Sequence, residues 1–307
     1  MHSSAWPDLQ LPGWGATRDT LHMKCQVVGN IKLAASPFLN QWWEVAFQLT
    51  GRGLRTGLVP WQGRSFEAAF DLREHRLQVD VSDGSGGSVD LAHGSVAEFH
   101  AEVGAVLARA GIALVASPGP SEVPDPVPFA EQTAPGGYDP QAVEAWWRAM
   151  LSVERVIQRF RTPFHGKSSP IHLFWGALDL NHSRFNGKPH QPPDGVGPIL
   201  RYGENAENFA AGFWPGIGSD PTAVLYAYMT PMPPGTEALP VRPAGAGWSP
   251  EMSEFVFPYD ALRAEHDPDQ ALLEFFTSTY EGTAALAGWD RDALEGDLPE
   301  PVPGYRL

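Results

Sequence analysis

Thr162-Pro-Phe-His-Gly-Lys-Ser-Ser-Pro-Ile-His-Leu-Phe-Trp-Gly-Ala-Leu-Asp-Leu-Asn-His-Ser-Arg184 holds three of the ten histidines and marks a change from helical to strand-like patterning. Upstream of it, Asp139 stands where an N-cap belongs and Pro140 fits the first helical position. Val143, Trp146, Trp147, Met150, Ile157 and Phe160 then recur at helical spacing. The stretch reads as the end of a long helix, a Pro-Phe turn and a strand beginning near His172. The same order occurs once before. An apolar stripe at Leu21, Cys25, Val28 and Ala35 marks a helix, Ser36-Pro-Phe38 closes it, and Val45, Phe47 and Leu49 alternate with polar neighbours from Glu44 onward.

Between and beyond these anchors the pattern continues. Phe66, Ala68 and Phe70 alternate with Glu67 and Asp71, and Leu77, Val79 and Val81 with Gln78 and Asp80. Short connections and the Asp83-Gly-Ser-Gly-Gly87 turn favour an antiparallel meander, since parallel pairing needs connections of about a dozen residues. Ser95 and Glu98 have capping-box spacing ahead of Phe99, Val103, Val106 and Leu107. Residues 117–138 are proline-rich and aperiodic, the composition of a linker or a strap. Later strands are expected at 223–229 and 254–257, and a helix opened by Asp267 and Pro268.

Phe38 and Phe164 are 164 − 38 = 126 residues apart. Glu98-Phe99 matches Glu274-Phe275, and Ala110-Gly111 matches Ala287-Gly288, at offsets of 176 and 177. The expected fold is therefore α+β: two duplicated helix–antiparallel meander–helix halves packed together, residues 1–116 and 139–307, joined by 117–138. The larger later offsets imply a Gly/Pro-rich insertion in the second half, at about 185–222. Within it, 212–218 is expected to fold back as a lid with Trp214 buried, because a glycine-flanked Phe-Trp-Pro is a compact apolar plug.

With 43% hydrophobic residues the chain can bury a sizeable core, and a formal charge of −15 argues against nucleic acid and anionic membranes as partners. The lone Cys25 excludes an intrachain disulfide and fits a reducing, cytoplasmic setting. No stretch approaches the roughly 18 apolar residues of a membrane span. Lysine occurs only at 24, 32, 167 and 188, so candidates for Schiff-base chemistry are few. There is no G-x-S-x-G, G-x-x-x-x-G-K-[ST], H-E-x-x-H, C-x-x-C or G-x-G-x-x-G after a strand, which removes the reactions those motifs support. Composition names no cofactor and no oligomeric state.

Trp6-Pro7, Thr17-Arg-Asp-Thr-Leu-His22, Asn40 with Trp42-Trp43, Arg52-Gly-Leu54, Ser169-Pro-Ile-His-Leu-Phe-Trp-Gly176, Gly212-Phe-Trp-Pro-Gly216 and Tyr226-Ala-Tyr228 run nearly end to end through the chain. On these residues the chain resembles an uncharacterised bacterial family catalogued as domain of unknown function 5996. The resemblance implies a coherent whole-chain fold and no reaction. It also implies histidines flanking the tryptophan pair and one before Glu207, where this sequence has Gln41, Glu44 and Ala206.

His172 and Glu44 both stand near the start of a strand that follows a helix and a Pro-Phe dipeptide, so the duplication places them at the junction of the halves. An imidazole and a carboxylate converging there can act as base and orienter. His22 and Glu207 are further acid–base candidates, and Trp175, Trp214, Tyr226 and Tyr228 are expected to line an aromatic pocket. No residue set is assigned to a metal. His182, Arg184 and Asp179 read best as a surface salt-bridge cluster. Three functional classes stay open: an enzyme on a compact apolar or aromatic small molecule, a non-catalytic small-molecule-binding module, and an assembly protein.

Overall fold

A computed structural model describes residues 5–216 and 222–296. The fold is mixed α and β, with seven α-helices among the described residues and two antiparallel sheets. The chain forms two compact units: residues 1–151 with 172–180 and 214–223, and residues 152–171 with 181–213 and 224–307. The proline-rich 117–138, expected to lie between halves, runs within the first unit.

The first unit is organised on α1, Trp14–Ala35. Leu21, Cys25 and Val28 of its apolar stripe are buried, but so are Thr17, Arg18, His22, Lys24, Gln26, Asn30 and Lys32, because this helix is covered on nearly every side. A buried polar group without a partner costs about 1–3 kcal/mol, so these side chains reach for backbone. Lys24 Nζ donates to the carbonyls of Leu91 (2.8 Å) and His93 (3.3 Å), Gln26 to Ser121 (2.8 Å), and Asn30 to Gly119 (3.1 Å). Lys32 Nζ donates to Ala46, and Thr17 Oγ1 accepts from Asp139 N–H (2.9 Å). The helix thereby holds four separate loops.

The sheet of this unit comprises β1 (Gln48–Thr50), β2 (Gly53–Arg55), β3 (Val59–Trp61), β4 (Arg64–Asp71), β5 (Arg76–Val81) and β6 (Gly86–Asp90). Their order is β1-β2-β4-β5-β6, with β3 pairing β4. Phe66, Ala68, Phe70, Leu77, Val79 and Val81 are all buried on one face, as their alternation requires. Helix α2 (Val96–Arg109) opens with the Ser95/Glu98 capping box and buries Phe99, Val103, Val106 and Leu107. The 117–138 strap is pinned by Phe129, which is buried and donates its N–H to the Pro118 carbonyl.

Helix α3 (Pro140–Arg161) contributes to both units, and Asp139 Oδ1 caps it through the N–H groups of Gln141 and Ala142. Strand β7 (His172–Phe174) belongs to the first unit and bridges Phe47 in antiparallel sense.

The second unit contains β8 (Asp179–Pro189) from Asn181 onward, α4 (Pro198–Gly203), β9 (Ala206–Trp214) up to Phe213, β10 (Val224–Thr230), β11 (Gly247–Ser249) and β12 (Glu254–Pro258). The short α5 (Tyr259–Ala264), α6 (Pro268–Leu286) and α7 (Arg291–Leu294) complete it. Its strands run β11-β12-β10-β9-β8. Leu272, Phe275, Phe276 and Tyr280 of α6 are buried, with Phe275 packed on Phe257 of β12 at 5.8 Å between centroids.

The region expected as an aperiodic insertion is largely regular. Asn208 to Phe213 of β9 are all buried, and a run of Ala and Gly between two phenylalanines on a strand covered on both faces shows no alternation to read. Residues 212–214 are thus strand, Trp214 is half-buried, and Ile217 and Gly218 of the expected lid lie outside the described residues. The surface cluster expected at 179–184 is also corrected. His182 and Arg184 are buried: His182 Nδ1 donates to the Ser169 carbonyl (3.2 Å), and the Arg184 guanidinium lies 3.5 Å from the Phe160 ring centroid and 4.3 Å from that of Tyr280. Ring faces supply the negative charge density that water would otherwise give the cation.

Candidate functional site

The site begins with the turn between α1 and β1. The strand expected from Glu44 starts only at Gln48, because 40–45 forms a tight turn in which Gln41 (φ 54°) and Trp42 (φ 58°) both adopt left-handed backbone. For residues with a Cβ this conformation costs about 1–2 kcal/mol each, which the surrounding packing must supply. The turn brings Glu44 inward, where it is buried with Oε2 lacking any hydrogen-bond partner. The N–H groups of Leu39 and of Glu44 itself face the carboxylate.

His172 opens β7. It is buried, its ring is edge-on to Phe174 at 4.6 Å between centroids, and its Nε2 has no partner. Burial first, and then the nearby Lys32 charge, push its imidazole down to about 3. Lys32 also lies close enough to Glu44 for each to sense the other's charge. Burial lowers the Lys32 ammonium to about 8 against the opposing pull of Glu44, and burial raises the Glu44 carboxyl above its ordinary range. Lys32, Glu44 and His172 therefore form one electrostatically linked group, in which two of the three carry a buried, unpartnered polar atom.

The sequence offers Lys32 only as one of four lysines open to Schiff-base chemistry, and its position on α1 sets it apart from the others. It falls on the stripe of Leu21, Cys25, Val28 and Ala35, four residues after Val28. A lysine in an otherwise apolar helical stripe is the signal that points to it.

The other candidates divide between the units. His22 Nε2 donates to the Gly176 carbonyl (2.9 Å), and burial lowers its pKa. Trp175 is buried, donates its indole N–H to the Val45 carbonyl (2.9 Å) and packs its ring where a side chain on Gly29 would stand. In the second unit Glu207 accepts from Asn186 Nδ2. Tyr226 and Tyr228 stack at 6.1 Å between centroids, Tyr226 accepting from Asn181 Nδ2 (3.0 Å) and Tyr228 donating to Glu204 Oε1 (3.2 Å). Asn208 Nδ2 donates to the other oxygen of Glu204 (2.7 Å), so this cluster is a hydrogen-bonded polar network. Among the described residues no three His, Cys, Asp or Glu side chains converge as metal ligands, and no helix is long and apolar enough to cross a membrane.

The family described as Family of unknown function (DUF5996) matches residues 6–296, and the chain belongs to it. No curated protein and no solved structure matches the chain.

Proposed function

We propose, for this member of that family, an acid–base enzyme whose site lies in the first unit and consists of Lys32, Glu44 and His172, acting on a compact small molecule with an apolar or aromatic body. One observation carries the reading: Glu44 Oε2 and His172 Nε2 are both buried and unpartnered beside a buried lysine. Each such atom costs about 1–3 kcal/mol, and a ligand's polar groups would satisfy both. With its carboxyl raised, Glu44 is the proton donor and acceptor. An amine at about 8 is roughly one-tenth unprotonated at pH 7, enough to act as base or nucleophile. His172, held near 3, stays neutral and serves as a hydrogen-bonding group that orients the substrate. Phe38, Leu39 and Trp42 supply an apolar surface on the turn that leads to Glu44. The buried, unpaired Cys25 fits a reducing, cytoplasmic setting.

The neutrality of His172 also favours a second reading, a non-catalytic binding module in which the imidazole only orients a ligand. Thermal-shift screening of the full chain against a metabolite panel, followed by NMR of each hit for conversion, separates the two. The enzyme reading expects a hit that wild type converts and Glu44→Gln binds without converting. A hit bound and left intact by wild type supports the module, and hits indifferent to Glu44→Gln and His172→Gln remove the site.

We also propose that the chain is an internal duplication. Phe47 and Leu173, which pair with each other, are 173 − 47 = 126 residues apart, the offset of the Pro-Phe anchors. Comparison of the two segments across family members is the check, and relatives lacking the paired anchors would remove it.

A further inference from the structure

We infer that Lys32 is an imine-forming lysine that takes small aldehydes or ketones with an apolar body, with Glu44 relaying the protons. The inference rests on the acid–base site proposed above and names its substrate class. The four lysines differ in what surrounds them. Lys167 and Lys188 are exposed. Lys24 is buried, but its ammonium is shared between two carbonyls and lies 5.2 Å from the Phe99 ring centroid. Lys32 is buried with one acceptor, the Ala46 carbonyl, and no carboxylate at ion-pair distance among the described residues. As a neutral amine it donates one N–H to Ala46, which fixes the nitrogen and leaves its lone pair for a carbonyl carbon. A buried site and an amine near 8 make that neutral form accessible.

The approach runs along the turn. Leu39, whose N–H faces the Glu44 carboxylate, is itself 52% exposed, so the carboxylate lies one residue from solvent. Phe38 is exposed to the same extent and stands edge-on to Trp42 at 5.2 Å between centroids. Such a surface suits the apolar end of a carbonyl compound and has no charge with which to hold a phosphate.

In the reaction the Lys32 nitrogen forms a bond to the carbonyl carbon while the carbon–oxygen π bond breaks, and the proton lost by nitrogen passes to oxygen, giving a carbinolamine. The Glu44 carboxylic acid then protonates that hydroxyl, the carbon–oxygen bond breaks, and water leaves as nitrogen's lone pair forms the protonated imine. Glu44 ends as carboxylate, and hydrolysis returns its proton. His172 Nε2, neutral and unpartnered, would hydrogen-bond the departing oxygen.

The test is reductive trapping. Full-length protein is incubated with sodium cyanoborohydride and phenylacetaldehyde, phenylacetone or pyruvate, then peptide-mapped by mass spectrometry. One adduct on the Lys32 peptide is expected, earliest with the two aryl probes, and about tenfold slower in Glu44→Gln. Mapping in wild type locates the adduct whether or not Lys32→Met folds. Adducts confined to Lys167, Lys188, Lys24 or the amino terminus overturn the inference, as does labelling of Lys32 at an unchanged rate in Glu44→Gln. If Lys32 stays unlabelled while a screened ligand is still converted in a Glu44-dependent way, the imine falls and the acid–base site stands.

Discussion

Phe47 and Leu173 exchange two backbone hydrogen bonds, each N–H donating to the other's carbonyl at 2.8 Å. This antiparallel bridge helps fix the register of β7, and a slip of one residue would turn His172 to the opposite face. The bridge therefore contributes to which way the unpartnered imidazole points.

His172 gives stability a pH dependence. Its folded pKa, about 3, lies below the ordinary 6.5, so between those values the unfolded chain takes up a proton that the folded chain refuses. The contribution is complete above 6.5 and is lost as pH falls through the window, by up to about 1.4 kcal/mol per pH unit. His22, also lowered by burial, acts in the same direction. Urea unfolding at pH 7, 6 and 5 should show His172→Gln losing stability less steeply than wild type, and parallel curves would mean that position 172 titrates normally.

Lys32 should be dispensable for folding. Its folded pKa is lowered from 10.5 to about 8, so its contribution is present only above 10.5 and is lost as pH falls toward 8, leaving a buried ammonium at neutrality. Lys32→Met keeps the packing and removes the charge, at the expense of one donor to Ala46. Its unfolding free energy at pH 7 should lie within about 1 kcal/mol of wild type or above it. A loss beyond about 3 kcal/mol would make Lys32 a structural clamp.

Gly29→Ala should destabilise despite a better helix residue. An added Cβ would stand 2.2–2.5 Å from three atoms of the Trp175 indole, whose N–H is held by Val45. Helix propensity gains about 1 kcal/mol, and overpacking costs about 1–3 kcal/mol or more when the neighbour cannot retreat. A lowered melting temperature with altered tryptophan fluorescence is expected. An unchanged melting temperature would show that the indole moves freely.

Arg184→Lys should not be conservative. The guanidinium lies over the Phe160 ring and near Tyr280, and it donates to the Phe160 carbonyl. An ammonium cannot stack and is more strongly hydrated, so a loss of about 1–3 kcal/mol in chemical denaturation is expected. Equal midpoints for the two proteins would show that the charge alone matters there.

What could be read from the chain were features with local causes. The helix starts at Ser95, Asp139 and Asp267 were legible because capping depends on residues within one turn. Strands β4 and β5 were legible because one face of each is buried and the other is not. The turn at Gln41 and Trp42 was not, since nothing in a glutamine or tryptophan calls for positive φ and only packing holds it. Strand β9 hid in its small residues, and Arg184 hid because its partners lie on α3 and α6, far off in sequence. Glu44 and His172 were candidates because of their places after matching Pro-Phe turns, whereas the burial of Lys32 beside them depends on residues far from α1 in sequence.

The anchoring of loops by α1 has an evolutionary consequence. Nearly every tether runs from a side chain of the helix to the main chain of a loop, at Ala46, Leu91, His93, Gly119, Ser121 or Gly176. A carbonyl is the same acceptor whatever side chain its residue bears, so point substitutions in these loops leave the tethers intact. Adding or deleting one loop residue displaces the carbonyl by about 3.8 Å, more than a hydrogen bond can stretch. Relatives of this protein should therefore differ freely in loop composition and keep loop lengths fixed, with Lys24, Gln26, Asn30 and Lys32 marking where each length is measured.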